Sequence, residues 1–285
     1  MQLRAGAYEI GKRGAVRYDW RDPYHAAVGL SWPWFLVVMI GLDLALNAVF
    51  AGFYWAVPGC LANARPGSFG DAFFFSLETL ATVGYGVMSP ATVYGHVIAS
   101  SEILTGMMFT ALATGLTFVR FSRPRAKILY APSAVVARHN GQRTLMVRIA
   151  NGRTSLLVDG AARFYALIAE RTVEGAYFRR IHELPLVRAH IPVFGLTWTL
   201  MHALDAASPL AGFDLAMLRA REVRLFLAVT ARDPTLAAEV HDIHDYGPDE
   251  IAFGMRYAEA VTVDDAGRSV ADLRRVGDLE PEPAG

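Results

Sequence analysis

Hydrophobic residues fall in blocks along the chain. The first, from Trp32 to Val57, reads WPWFLVVMIGLDLALNAVFAGFYWAV and is interrupted only by Asp43 and Asn47. As a helix it would reach roughly 40 Å, longer than the roughly 30 Å hydrocarbon core of a bilayer. The pattern therefore predicts a membrane-crossing outer helix over 32–57. A second run over 93–121, VYGHVIASSEILTGMMFTALATGLTFVRF, predicts an inner helix whose Gly106, Ala111, Ala113 and Gly115 permit close helix approach. Between them FGDAFFFSLETL is about a dozen residues, too short to span. It is read as a helix over 69–81 that enters the membrane and turns back through TVGYG at 82–86.

An irregular segment at membrane depth cannot leave its backbone groups facing lipid, so it belongs where it lines a polar passage inside protein. Glycines allow conformations that turn carbonyls toward one line, and such carbonyls can replace the hydration shell of an ion.

Beyond Pro124 the pattern changes to short strand-like runs, AVVAR, TLMVRIA, SLLVDG, ARFYALIAE, VRLFLAVTA and IAFGMRYAEAV, punctuated by Gly, Asn, Asp and Pro. That spacing predicts an antiparallel β-sandwich. A short helix is expected near 214–221 with Asp214 as its N-cap. The tail EPEPAG over 280–285 is expected to be disordered.

Charge reinforces this division. Basic and acidic residues balance at 27 each, which argues against a nucleic-acid binder built on a strong positive field. Residues 28–119 carry very few charges, whereas 120–285 have the density of a water-facing domain. Lys12, Arg13, Arg17 and Arg21 precede the first span; Arg120, Arg123, Arg125 and Lys127 follow the second; the loop between has only Arg65 as a base. The positive-inside rule then places both termini in the cytoplasm. Trp20, Trp32, Trp34, Tyr54 and Trp55 fit interfacial belts. The first 25 residues lack the features of a cleaved secretory leader. The lone Cys60 cannot form a disulfide within one chain. No nucleophile, base and orienting group are grouped by motif, so an enzyme is not expected, and no cofactor is expected.

TVGYG is the selectivity-filter sequence of potassium channels. With SWPWF at 31–35, ARPGSFGDAFFFSLETLATVGYG at 64–86, RFSRPRAK at 120–127, TLMVRIANGR at 144–153, ASPL at 207–210 and DEIAFGMRY at 249–257, the chain resembles the prokaryotic inward-rectifier potassium channels, the KirBac family, from about Tyr18 to about Asp272. The resemblance implies a membrane α + β homotetramer in the bacterial inner membrane. Each chain would contribute two transmembrane helices, a re-entrant pore helix and filter loop, and a cytoplasmic immunoglobulin-like β-sandwich. Thr82, Val83, Gly84, Tyr85 and Gly86 would form the filter and bind permeant K+. The segment DWRDPYHAAVGL over 19–30 resembles the family's interfacial slide helix. The expected organisation is an N-terminal segment 1–30, a pore domain 31–123, a regulatory sandwich 124–279 and the tail.

Several single residues carry further expectations. Glu78, one helical turn before the filter, is expected to brace it, since a carboxylate at membrane depth is costly without a role. Its bland alternative is a helix residue at a wet margin. Glu102 is expected behind the pore helix, not in the passage. Met107, Thr110, Thr114 and Phe118 recur at spacings of three, four and four, one helical stripe. The resemblance makes the first three cavity-lining and places Phe118 at the bundle crossing as the gate. Thr110 is neutral where strongly rectifying relatives carry an acid, which implies weak block by magnesium or polyamines. Gly106 fits either a hinge or a close helix contact. Val87 follows the filter where many potassium channels have aspartate, implying a lost polar tether. Asp43 is expected to be protonated, paired or turned toward the inner helix. Arg120, Arg123, Arg125 and Lys127 serve topology or bind anionic phospholipid or phosphoinositide. His241 and His244 are too few for a metal site and are expected as a solvated surface pair. The alternatives to a channel are a potassium transporter subunit and a membrane-anchored β-sandwich scaffold. The single intact pore loop argues against the first; the second leaves the loop unexplained.

Overall fold

The computed structural model describes residues 2–5, 8–11, 22–122, 124 and 126–283, the first two segments by their backbone alone. Strands β1 (Gln2–Ala5) and β2 (Tyr8–Gly11) form an antiparallel hairpin. The chain divides into two compact units, Val16–Arg123, and Pro124–Gly285 together with that N-terminal hairpin.

In the first unit, helix α1 (Pro23–Gly29) begins where Asp22 accepts a hydrogen bond from the His25 amide at 2.9 Å, with proline in the first turn, where its missing N–H costs nothing. Residues 19–21 of the expected slide helix lie outside the described residues. Helices α2 (Trp32–Ala56) and α4 (Val93–Phe121), 25 and 29 residues long, are both apolar enough to cross a membrane. Between them sit strand β3 (Leu61–Ala62), helix α3 (Phe69–Leu80) and strand β4 (Ser89–Pro90). Ser68 caps α3 by accepting from the Asp71 amide at 3.2 Å, and Thr92 caps α4 by accepting from Gly95. The antiparallel pairing of β3 with β4 draws the segment after TVGYG back to the loop that leaves α2. A small core of Ala51, Tyr54, Cys60, Leu61, Ala72, Phe75 and Ala99 locks the three helices together, with Tyr54 edge-on to Phe75.

The second unit is a β-sandwich. Its strands are β5 (Ile128–Tyr130), β6 (Ala134–His139), β7 (Gln142–Asn151), β8 (Leu157–Arg171), β9 (Tyr177–Leu184), β10 (His190–Phe194), β11 (Thr197–Ala203), β12 (Arg224–Asp233), β13 (Ala238–Tyr246) and β14 (Ile251–Phe253). One sheet has the order β10-β8-β12-β13, with β9 also on β8; the other has β11-β7-β6-β14, with β5 also on β7. Alternate residues point inward, as the two-residue period of a strand requires. Phe164, Ala166, Ile168, Leu225, Leu227 and Val229 from one sheet thus meet Leu145, Val147, Ile149, Trp198 and Leu200 from the other. Helix α5 (Leu215–Ala220) is capped by Asp214, whose carboxylate accepts from Met217 N at 2.7 Å. Short pairs β15 (Met255–Tyr257) with β18 (Leu279–Pro281), and β16 (Val261–Val263) with β17 (Ser269–Ala271), close the unit.

Three expectations are corrected here. SLLVDG and ARFYALIAE are one strand: Asp159 takes φ +52 and the register against β12 shifts at this point, so Asp-Gly is a bulge inside a 15-residue strand and not a turn. The tail is ordered through its first residues, because β18 pairs with β15, Arg256 and Glu280 form an ion pair at 2.8 Å, and Arg138 N donates to Glu282 at 2.7 Å. Residues 284–285 lie outside the described residues. His241 and His244 are not a surface pair: three apart on β13 they face opposite ways. His241 is exposed beside Glu239, while His244 stacks on Tyr130 with ring centroids 4.5 Å apart. Burial pushes the His244 imidazole below its ordinary value, against the opposite pull of Asp245, Glu250 and Asp242.

Candidate functional site

Helix α3 ends at Leu80, and the chain passes through Ala81 into Thr82–Gly86. Along this segment positive φ recurs at every second residue: Thr82 at +57, Gly84 at +56 and Gly86 at +82. Val83 and Tyr85 between them keep negative φ. A peptide chain whose residues alternate in handedness turns successive carbonyls toward a common side. Glycine meets that demand without strain, but Thr82 is β-branched and adopts left-handed φ at a cost. The constraint comes from α3, whose Glu78 carbonyl accepts from Val83 N at 2.8 Å and from Gly84 N at 3.3 Å. Glu78 thus touches the segment through its main chain.

Beyond Gly86 the chain is tethered by Asn63, whose side-chain amide donates to the Val87 carbonyl at 2.8 Å. That bond is to the Val87 main chain and leaves its side chain without a polar contact. At the other end of α3, Arg65 binds Asp71 through its backbone N at 2.8 Å and its guanidinium at 2.7 Å, closing the loop before the helix. Trp55 Nε1 donates to Gly67 O at 3.0 Å and ties the same loop to the end of α2.

Glu102 is fully buried behind α3, as expected, and accepts from Tyr54 Oη at 2.7 Å and from the Ser76 hydroxyl. Asp43 is paired, receiving the Asn47 amide on its carbonyl at 2.9 Å and on its carboxylate at 3.3 Å. Asn63, Asn47, Ser76 and Tyr54 escaped the sequence reading as site residues. The legible signal for two of them was a polar side chain inside an apolar helix.

On α4, Met107, Thr110, Thr114 and Phe118 share one face and are all exposed in the single chain, Phe118 at 69%. Gly106, one turn before Thr110 at the edge of that stripe, is buried. A Cβ there would collide with the Leu80 carbonyl, so its place is explained by close contact with the end of α3. The helix runs unbroken through it.

The four basic residues expected at a lipid surface separate. Arg120 is only 9% exposed. Its guanidinium donates to the carbonyls of Ala27 at 2.8 Å, Val28 at 3.0 Å and Leu30 at 2.8 Å, and stacks on Trp32 and Phe35. That corrects its expected role: a buried guanidinium capping the end of α1 is a clamp inside the unit, not a headgroup ligand. Lys127 is exposed, and Arg123 and Arg125 lie outside the described residues.

Two apolar spans flanking a re-entrant helix and a carbonyl-aligning loop, followed by a β-sandwich, define a membrane pore protein with an appended all-β domain. A family model described as the inward rectifier potassium channel C-terminal domain matches residues 128–281, and one described as ion channel matches 37–123. The chain is 36% identical to the inward rectifier potassium channel Kirbac3.1 of Paramagnetospirillum magnetotacticum, over 96% of this chain and 93% of that protein. It is 25% identical to the human ATP-sensitive inward rectifier potassium channel 15, over 92% of this chain and 76% of the relative. With the bovine G protein-activated inward rectifier potassium channel 1 it shares 24% identity over 86% of this chain and 53% of the relative. The chain belongs to the inward rectifier potassium channel family.

Proposed function

We propose that four copies of this chain assemble around one axis and conduct K+ passively through the TVGYG segment. Four rings of carbonyls from Thr82, Val83, Gly84 and Tyr85, with the Thr82 hydroxyls, replace the hydration shell of K+, and repulsion between neighbouring ions keeps them moving. Gly86 closes the segment. The observation that carries this reading is the alternation of φ sign over Thr82, Gly84 and Gly86, held in register by the Glu78 carbonyl. The C-terminal end of α3, with its partial negative charge, leads directly into this segment and favours a cation there. The Glu78 carboxylate braces the filter across the assembly.

Met107, Thr110 and Thr114 line the cavity below the filter. Four Phe118 rings close its inner mouth by dewetting. Neutral Thr110 leaves polyamine block weak. The protein resides in the bacterial inner membrane with both termini and the sandwich in the cytoplasm, where the sandwich regulates the gate. Lys127, Arg123 and Arg125 hold anionic phospholipid or phosphoinositide headgroups.

Tracer uptake into liposomes holding the purified protein under an outward potassium gradient tests this reading. Barium-blocked rubidium uptake, competed by external potassium and not by sodium, is expected. Phe118→Ala should raise the flux without changing ion preference. Silence of both parent and Phe118→Ala in every lipid composition would refute the proposal.

A further inference from the structure

Behind the filter a buried polar chain crosses all three membrane helices. Asn47 of α2 lies 3.1 Å through its carbonyl and 3.2 Å through its side-chain oxygen from the hydroxyl of Ser76 on α3. Ser76 also meets Glu102 of α4, whose second oxygen accepts from Tyr54 of α2 at 2.7 Å. Asn47, Ser76 and Glu102 are each 0% exposed. Ser76 stands two residues before Glu78, whose carbonyl holds the amides of Val83 and Gly84. A single lever therefore leads from Glu102 through Ser76 along half a turn of α3 to the centre of the filter.

Such a lever matters because the bilayer gives little help. Lipid is as apolar as leucine, so a 12-residue helix such as α3 finds no strong hydrophobic gradient to fix its rotation. Small-residue contacts and polar pairs must set it. Ala72 and Gly106 supply close contact, and the Glu102 carboxyl supplies a polar contact that joins α3 to α2 and α4 together. Preorganised sites tolerate displacements of only about 0.5 Å.

We propose that Glu102 is a positioning residue for ion selection: by receiving hydroxyls from α2 and α3 together it sets the height and rotation of α3, and so the spacing of the Val83 and Gly84 carbonyls. The inference rests on the channel reading above. Full-length parent, Glu102→Ala, Glu102→Gln and Ser76→Ala chains are reconstituted, confirmed as assemblies of parent size, and compared for rubidium-over-sodium uptake and for barium block. Glu102→Ala should lose discrimination about tenfold and weaken barium block, as expected when hydroxyls are left without their acceptor. Glu102→Gln, which still accepts from Tyr54 and meets Ser76, should restore both.

A merely structural role would lower yield or melting temperature and leave the ion ratio of surviving assemblies untouched, and that outcome overturns the proposal. So does a Glu102→Gln chain as impaired as Glu102→Ala. Should Glu102→Ala fail to assemble, Ser76→Ala, which deletes one hydroxyl, decides: an altered ratio supports the lever and an unaltered one overturns it. A selective parent with an unchanged Glu102→Ala refutes this inference alone, whereas a parent and Phe118→Ala without barium-blocked flux refute the channel reading and this with it.

Discussion

Gly106→Ala is the sharpest probe of how α4 packs against the end of α3. A Cβ at this position would lie 3.1 Å from Leu80 C and 3.2 Å from Leu80 Cα, with the carbonyl oxygen nearer still. Ordinary carbon contacts are about 3.5–4.0 Å, so the methyl must be relieved by separating α4 from α3. Leu80 cannot give way cheaply: it is backbone that collides, its side chain is buried, and Thr82 follows two residues later. Overpacking of this kind costs about 1–3 kcal/mol, and a backbone collision belongs at the upper end. At roughly 2–4 °C per kcal/mol for a protein of this size, the detergent-solubilised variant should melt on the order of 5–10 °C lower. Its rubidium-over-sodium preference should fall if the proposed filter is right, because α3 leads directly into the TVGYG segment. A hinge at Gly106 implies the reverse: alanine stiffens a helix by about 1 kcal/mol relative to glycine, altering opening without loss of stability. A Gly106→Ala chain that melts with the parent and selects ions like the parent would refute the packing argument.

Three further outcomes follow from the geometry. Arg120→Ala removes charge-assisted bonds to three carbonyls, on the order of 2 kcal/mol, and should speed hydrogen exchange in α1 roughly thirtyfold; unchanged protection of 23–30 would dispose of the clamp. His244 has its proton affinity lowered by burial from the ordinary 6.5, so the unfolded chain takes the proton first. Stability from the neutral ring is thus present above that value and lost as pH falls below it. His244→Phe keeps a ring on Tyr130, so the drop in sandwich melting temperature between about pH 7.5 and about pH 5.5 should shrink, and an equal drop in both chains would count against the burial argument. Truncation after Asp278 deletes β18 and the Glu282 contact to Arg138 and should destabilise the sandwich by about 1–3 kcal/mol in thermal melts, whereas an unaffected melt would show the strand to be dispensable.

Much of the membrane unit was legible because its signals are local. Run length separates the spanning helices from the dozen residues that must turn back. Glu102 could be assigned behind α3 from its position together with the family resemblance, which puts a cavity-facing acid deeper, at Thr110. The sandwich was less legible. Strands β9, β10, β11 and β13 went unread: β9 is exposed along most of its length and β13 carries HDIHD, so neither shows the alternation that marks a half-buried strand. Asp159-Gly160 looked like a turn because its chemistry is that of one; only pairing with β12 on one side and with β10 on the other turns it into a bulge.

The amino-acid sequence by itself determined that the chain crosses the membrane twice, that TVGYG lies between the crossings, and that the remainder is β-rich. Each of these depends on composition within a short window. The tertiary structure alone decided that Arg120 is a clamp, that Gly106 is a contact, that His244 is a stacked ring, that Asn63 holds the Val87 carbonyl and that Ser76 meets Glu102. Each of those roles is defined by a partner elsewhere in the chain, from Leu80 beside Gly106 to Ala27 beneath Arg120. A side chain's role at a packed site depends on what faces it, and that is settled only when distant segments have been brought together.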